Sequence, residues 1–274
     1  MNRSDLATVM AFKDLAEWNQ SLLDWERVLR LNPAGCFACE ADGAVAGIAT
    51  AITYSDKVGC VGTLFVAPTY RHRGIGTQLL GAAVKHLEDH DAQTLRIITP
   101  PSAKGIFERM GFVGDLEIER WVLHRQAAPS PGLVRRPLPD FEKILVADRE
   151  VFGTDRSEVI RCLHADAPDF TLSAELEGEV IGYALGRGGL TADCLGPWVA
   201  WDQPTARELL EEFLARSGRD TILVGCPKSN DMARDLLLSK GFRIAKPMIQ
   251  MVRGPNTHQG RPELICGVLG QEFP

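Results

Sequence analysis

Pro68-Thr69-Tyr70-Arg71-His72-Arg73-Gly74-Ile75-Gly76-Thr77 is the stretch on which the reading of this chain turns. An apolar run, Leu64-Phe65-Val66, precedes it, and apolar residues recur after it at Leu79, Leu80, Ala83, Val84 and Leu87. The first pattern predicts a strand and the second an amphipathic helix over 77–89. Glycines between a strand and a helix let the backbone approach a ligand closely and adopt positive φ. The start of the helix presents unsatisfied N–H groups and a partial positive charge, to which Arg71 and Arg73 add two formal charges. Together these features describe a phosphate or pyrophosphate site. The plainer alternative is a glycine helix cap flanked by two solvated arginines. Two other phosphate motifs are excluded: there is no G-x-x-x-x-G-K-[ST], and neither the third glycine nor the leading βαβ unit of a dinucleotide fingerprint is present.

Outward from this loop, the elements fall into a pattern that occurs twice. Residues 4–31 read as helical, and Asn32-Pro33-Ala34-Gly35 breaks them. Strands follow at Cys36 to Glu40, Ala44 to Tyr54 and Cys60 to Val66, the first two joined by the hairpin signal Asp42-Gly43. After the helix come a strand from Thr94 to Thr99 and a short helix from Ala103 to Met110, ended by Gly111, before extended structure resumes at Phe112. Gln126-Ala127-Ala128-Pro129-Ser130-Pro131-Gly132 reads as a linker. Beyond it the order repeats. Ala103-x-x-Ile-Phe-x-x-x-Gly111-Phe112 answers Ala233-x-x-Leu-Leu-x-x-x-Gly241-Phe242 at identical spacing, and Asp42-Gly43 answers Glu177-Gly178. A tandem duplication is the expectation: a first domain over 1–125, a linker over 126–134, a second domain over 135–253, and a tail over 254–274 whose Leu264 to Leu269 forms a last strand. The fold class expected is α/β, with a mixed sheet in each of two similar domains.

The copies differ at one place. From Val66 to Leu79 is thirteen positions, but from Val199 to Leu209 only ten, and the second loop reads Trp201-Asp202-Gln203-Pro204-Thr205 without glycine. A shared scaffold with one altered loop points to function in the first copy.

The bulk numbers bound the remaining classes. The chain has 274 residues, is 45% hydrophobic and 24% charged, and carries a net charge of -6. No basic run or stripe supports nucleic-acid binding. No segment approaches the roughly 18 apolar residues of a membrane span, and the polar start Met1-Asn2-Arg3-Ser4-Asp5 is unlike a signal peptide. Seven scattered cysteines predict a reduced, cytoplasmic protein with free thiols. Cys36-x-x-Cys39 lies in a strand, where positions three apart point to opposite faces, so no metal site is expected.

Arg71-His72-Arg73-Gly74-Ile75-Gly76 resembles the [QR]-x-x-G-x-[GA] signature of the GNAT superfamily of N-acetyltransferases. Ala103-x-x-Ile-Phe-Glu-Arg-x-Gly-Phe resembles that superfamily's later A-x-x-L-Y-E-[KR]-x-G-F segment. The likeness covers residues 1–125 well, and 135–253 resembles a degenerate second copy. It implies that backbone groups of Leu64, Phe65 and Val66 meet a pantetheine arm. Amides of Arg71, His72, Arg73, Gly74, Ile75 and Gly76, with Thr77, would cradle a pyrophosphate, and Phe107 would lie beside the cofactor. The implied activity is direct acetyl transfer from acetyl-CoA to a primary amine of a small molecule, with no metal. The alternative is a non-catalytic module that senses acyl-CoA.

The catalytic residues are less legible. The resemblance implies a tyrosine acid in the L-Y-E segment, but Phe107 stands there, with Leu237 in the second copy. Tyr54, at the end of a first-copy strand, is the candidate catalytic contact; a half-buried strand tyrosine is the alternative. Trp18, Asn19 and Asp24 lie in the region that lines the acceptor site in this superfamily, and Asn19 and Asp24 are the candidate substrate contacts. Asp24 reads equally as a helix-surface charge. Asp155-Arg156 reads as a helix cap with a solvated partner, and a reach toward an interdomain cleft is the alternative.

Overall fold

A computed structural model describes residues 1–16, 18–55, 57–126 and 140–274. Apart from Gln126, the linker at 126–134 lies outside the described residues, as does the start of the second copy at 135–139. The chain divides into two compact units: Met1–Asp115 with Gln250–Thr257 and Gln271–Pro274, and Leu116–Ile249 with His258–Gly270.

The first unit opens with α1 (Leu6–Leu15) and α2 (Leu22–Leu31). The single helical region expected over 4–31 is therefore two helices. The reason is local: Ser21 and Asp24 form a capping box, with Ser21 N–H donating to Asp24 Oδ2 at 2.8 Å, and so start a new helix. Then come β1 (Cys36–Ala41), β2 (Ala44–Thr53), β3 (Val58–Val66), α3 (Ile75–Asp89), β4 (Thr94–Thr99) and α4 (Lys104–Glu108). The β1–β2 turn places Asp42 and Gly43 at φ 53° and 76°, the left-handed pair a two-residue hairpin needs. Strands β1 and β2 pair antiparallel, as do β2 and β3. The β2–β3 register slips so that Gly62 and Thr63 together oppose Thr50, a β-bulge. Thr50 Oγ1 accepts the Thr63 N–H at 2.8 Å.

Side chains alternate across this sheet. Leu79 and Leu87 of α3 press on one face at Gly47 and Gly59, whereas Ile48 and Phe65 join Val9, Phe12 and Trp25 of α1 and α2 in a core cluster. Strand β4 is parallel to β3, but their pairing runs only from Val58–Thr94 to Cys60–Arg96. From Val61 to Val66, β3 has β2 as its partner on one edge and no paired β4 residue on the other.

The second unit repeats this plan: α5 (Phe141–Phe152), α6 (Ser157–Asp166), β6 (Leu172–Leu176), β7 (Glu179–Gly188), β8 (Asp193–Ala200), α7 (Gln203–Arg216), β9 (Thr221–Pro227) and α8 (Asp231–Ser239). Its core gathers Trp121, Trp198, Leu210, Phe213 and Phe242. The repeated Gly-Phe ends are structurally alike. Gly111 and Gly241 take φ 84° and 85°, and the amides of Phe112 and Phe242 donate to Phe107 and Leu237 carbonyls at 3.1 and 3.0 Å.

Two strands change units along the chain. Strand β5 (Val113–His124) starts in the first unit, and its Ile118–His124 pair antiparallel with Thr221–Pro227 in the second. Strand β10 (Arg243–Arg253) starts in the second, and its last residues from Gln250 belong to the first. The last strand of each sequence copy thus ends in the unit built by the other. The tail's strand, β11 (Ile265–Gly267), pairs with β8 in the second unit.

Candidate functional site

The loop between β3 and α3 is exposed from Pro68 to Thr69 and from Arg71 to Gly74. A 3₁₀ turn over Pro68–Tyr70 leads into it. His72 sits at φ 63°, a left-handed conformation that is uncommon for a residue with a side chain, and Gly74 at φ 81°. Gly74 is the N-cap of α3 and offers no side chain to its first amides. A Cβ added at Gly74 would meet nothing within 4 Å, and one at Gly76 only Val66 Cγ2 at 3.6 Å. Neither glycine is required by neighbouring protein atoms on that side, so the surface they leave bare is open to a ligand. The two arginines are tethered nearby. Arg71 Nε donates to the Val66 carbonyl at 3.2 Å, and its guanidinium lies 5.9 Å from the Phe65 ring centre. Arg73 pairs with Asp42 at 3.2 Å and lies 5.3 Å from the Tyr70 ring.

The corresponding loop of the second unit is closed by its own side chain. Asp202 is the N-cap of α7 and its Oδ1 accepts the Thr205 N–H at 2.8 Å, with Pro204 in the first turn. The Thr205 bond holds the Asp202 carboxyl below the ordinary carboxylate range.

On the edge facing away from β2, no β4 residue pairs with Leu64, Phe65 or Val66, and the Val66 carbonyl there accepts Arg71 Nε. The Phe65 side chain points elsewhere, into the α1–α2 face, where Phe12 and Trp18 lie 5.2 and 5.3 Å from its ring. Thr77 is exposed and Ile75 buried. Phe107 is buried in α4, edge-on to Phe112 at 6.1 Å.

Tyr54 follows β2 directly, is 6% exposed, and its N–H donates to the Val58 carbonyl at 2.7 Å. Asn19 lies in the turn between α1 and α2 and is half-buried. Asp24 is 2% exposed. Its Oδ2 accepts from Ser21 N and Oγ at 2.8 and 2.9 Å, and its Oδ1 from Arg27 Nη1 at 2.8 Å. It is thus a buried structural carboxylate at the start of α2.

In the second unit Asp155 accepts the Ser157 N–H at 2.8 Å and caps the first turn of α6. Arg156 turns inward instead of toward solvent. It forms a two-pronged bond to Asp148 at 2.9 and 2.8 Å, and Tyr183 donates to the same carboxylate at 2.8 Å. Burial, then the Asp148 charge, push the Tyr183 phenol well up, so it is a neutral donor.

All seven cysteines are free thiols, and burial pushes Cys36 up to about 11. Among the described residues no cluster of three or more His, Cys, Asp or Glu could hold a metal ion, and no helix is long and apolar enough to cross a membrane.

Two site features escaped the sequence reading. The Gly62-Thr63 bulge has a weak signal, since a glycine inside a strand often marks one. The return of residues 271–274 to the first unit has none.

Known proteins bear on this geometry. Residues 4–112 match a model of the acetyltransferase (GNAT) family, and residues 144–266 match a second acetyltransferase (GNAT) domain model. The uncharacterized N-acetyltransferase YitH of Bacillus subtilis is 21% identical over 190 residues, 68% of this chain and 66% of that protein. Holothin acyltransferase of a Pseudoalteromonas species is 22% identical over 260 residues, 94% of this chain and 87% of that one. A Pyrococcus horikoshii structure described as a candidate acetyltransferase shares the fold with a TM-score of 0.83 at 20% identity, covering 100% of this chain and 94% of that one. With one domain model on each sequence copy, the chain belongs to the GNAT acetyltransferase family, as a tandem of two such domains.

Proposed function

We propose that the chain is an N-acetyltransferase that moves an acetyl group from acetyl-CoA to a primary amine of a small molecule, with one donor site per chain. The observation that carries this reading is the bare N-terminus of α3. Gly74 and Gly76 leave open space there, Arg71 and Arg73 supply positive charge, and the N-cap residue Gly74 brings no capping side chain. A pyrophosphate matches that set of donors in charge and in reach.

When bound, acetyl-CoA would supply the acetyl group as a thioester. Amides of residues 71–76 and the start of α3, with Thr77, would hold the phosphates. The open edge of β3 at Leu64, Phe65 and Val66 would bond the arm, and Phe107 would give an apolar contact. Held this way, the donor arrives in one orientation, which is the main contribution expected of such a site. The acceptor amine must be neutral to attack. Tyr54 is the proposed polar contact at the reacting carbonyl. Asn19 is proposed to meet the acceptor directly, and Asp24 to act on it by fixing the first turn of α2.

Calorimetric titration of the chain with acetyl-CoA, followed by a screen of primary amines for release of free CoA thiol, tests this. One site with amine-dependent release is the expected result. Two sites would remove the asymmetry between the copies, tight binding without turnover would favour an acyl-CoA sensor, and no binding would end the donor reading.

A further inference from the structure

Residues Gln271–Pro274 belong to the first unit, although the strand before them belongs to the second. Glu272 and Phe273 are buried at 5% and 2% exposure. Cys60 Sγ donates to the Pro274 carbonyl at 2.8 Å. At Gly62 an added Cβ would lie 2.7 Å from the Glu272 carbonyl and 2.6 Å from Thr50 Oγ1, so glycine is the residue that admits the segment here.

Both contacts are made on one face of β3, beside the end of its open edge at Val61. Beyond the Cys60–Arg96 pair, β3 runs on to the glycine loop with no β4 partner. A molecule anchored at residues 71–76 and lying along β3 from Val66 to Gly62 spans four residue steps, about 13 Å at strand rise. Its far end reaches the bulge at Gly62-Thr63, and there the segment 271–274 stands. The space beside Gly62 is bounded by Thr50 Oγ1 and by the Glu272 carbonyl together.

We infer that Gln271–Pro274 forms the end wall of the acyl site and confines the donor to short acyl groups. This rests on the donor reading proposed above. The segment is a specificity element that meets the acyl group.

The test compares acetyl-, butyryl- and octanoyl-CoA binding by calorimetry for the intact chain, a variant lacking Glu272–Pro274, and Phe273→Ala. Iodoacetamide labelling of Cys60, read by mass spectrometry, reports the cover independently of any cofactor. The intact chain is expected to bind acetyl-CoA about tenfold or more tighter than octanoyl-CoA, a range that pocket size alone can supply. In both variants that ratio falls toward one, and Cys60 labels at least about tenfold faster. If deletion prevents folding, Phe273→Ala decides. An unchanged ratio with Cys60 newly accessible overturns the wall while leaving the donor site intact. Unchanged Cys60 labelling overturns the placement itself. No acetyl-CoA binding by the intact chain removes the donor reading and this inference with it.

Discussion

The β3–α3 loop and the β8–α7 loop occupy equivalent places in two copies of one fold, and they finish the following helix in opposite ways. In the first, the N-cap is a left-handed glycine with no capping side chain, and two arginines stand beside open space. In the second, Asp202 puts a carboxylate of the protein's own on the helix N-terminus. A helix start needs a negative or acceptor group. One copy supplies that group internally, and in the other the proposed cofactor would supply it. The buried network of Asp148, Arg156 and Tyr183 gives the second unit a further internally satisfied polar site. The comparison teaches that three missing residues and one cap are enough to close a helix start on a retained scaffold.

The largest effect expected is on the second unit. Asp148→Ala would leave the Arg156 guanidinium buried without its carboxylate, and should cost about 3–5 kcal/mol in chemical denaturation. A loss under about 1 kcal/mol would mean that the network is not needed. Next, Gly74→Asp with Gly76→Asp should weaken acetyl-CoA binding by about 100-fold, or about 2.7 kcal/mol. The pair would place carboxylates where phosphate is proposed. Gly76 has room for a side chain, so Gly76→Asp alone should leave circular dichroism unchanged. Unaltered affinity in the double variant would break the comparison at its centre.

Arg71→Ala should be milder, about tenfold, because the helix amides remain, and the residual binding should depend less on salt. The smallest effect belongs to Asp202→Ala, about 1 kcal/mol of stability for a lost N-cap, with still one acetyl-CoA site per chain. Its pH dependence has a definite sign. The Asp202 carboxyl is held below its ordinary value, so its contribution is present above that ordinary value and is lost as pH falls through the folded one. The intact chain and the alanine variant should therefore converge in strongly acidic solution, which acid denaturation curves would show.

Much of the first unit was legible because its signals are local. Asp42-Gly43 forces a hairpin, and Arg71 to Gly76 sits between an apolar strand and an amphipathic helix. Gly111-Phe112 and Gly241-Phe242 end two helices alike. The break between α1 and α2 was legible too, through Ser21-x-x-Asp24, but it was absorbed into one long helical stretch. Asp24 illustrates a different limit. Its sequence position fits a helix surface or an acceptor site, and only the fold shows it buried beside Arg27. The exchange of β5 and β10, and the return of Gln271–Pro274, depend on pairings separated by about a hundred residues or more, for which no short pattern exists.

That exchange also bears on the order in which the protein is made. The first unit holds the glycine loop within its first hundred residues, yet it is finished by Gln250–Thr257 and Gln271–Pro274. A nascent chain of 200 residues would carry the whole glycine loop and still lack two pieces of that unit. Domains usually fold in the order of synthesis. Here the earliest-made half must wait for the last, so ligand-binding competence should arrive late and in one step, and a gene cut between the repeats would yield two halves that each lack a strand.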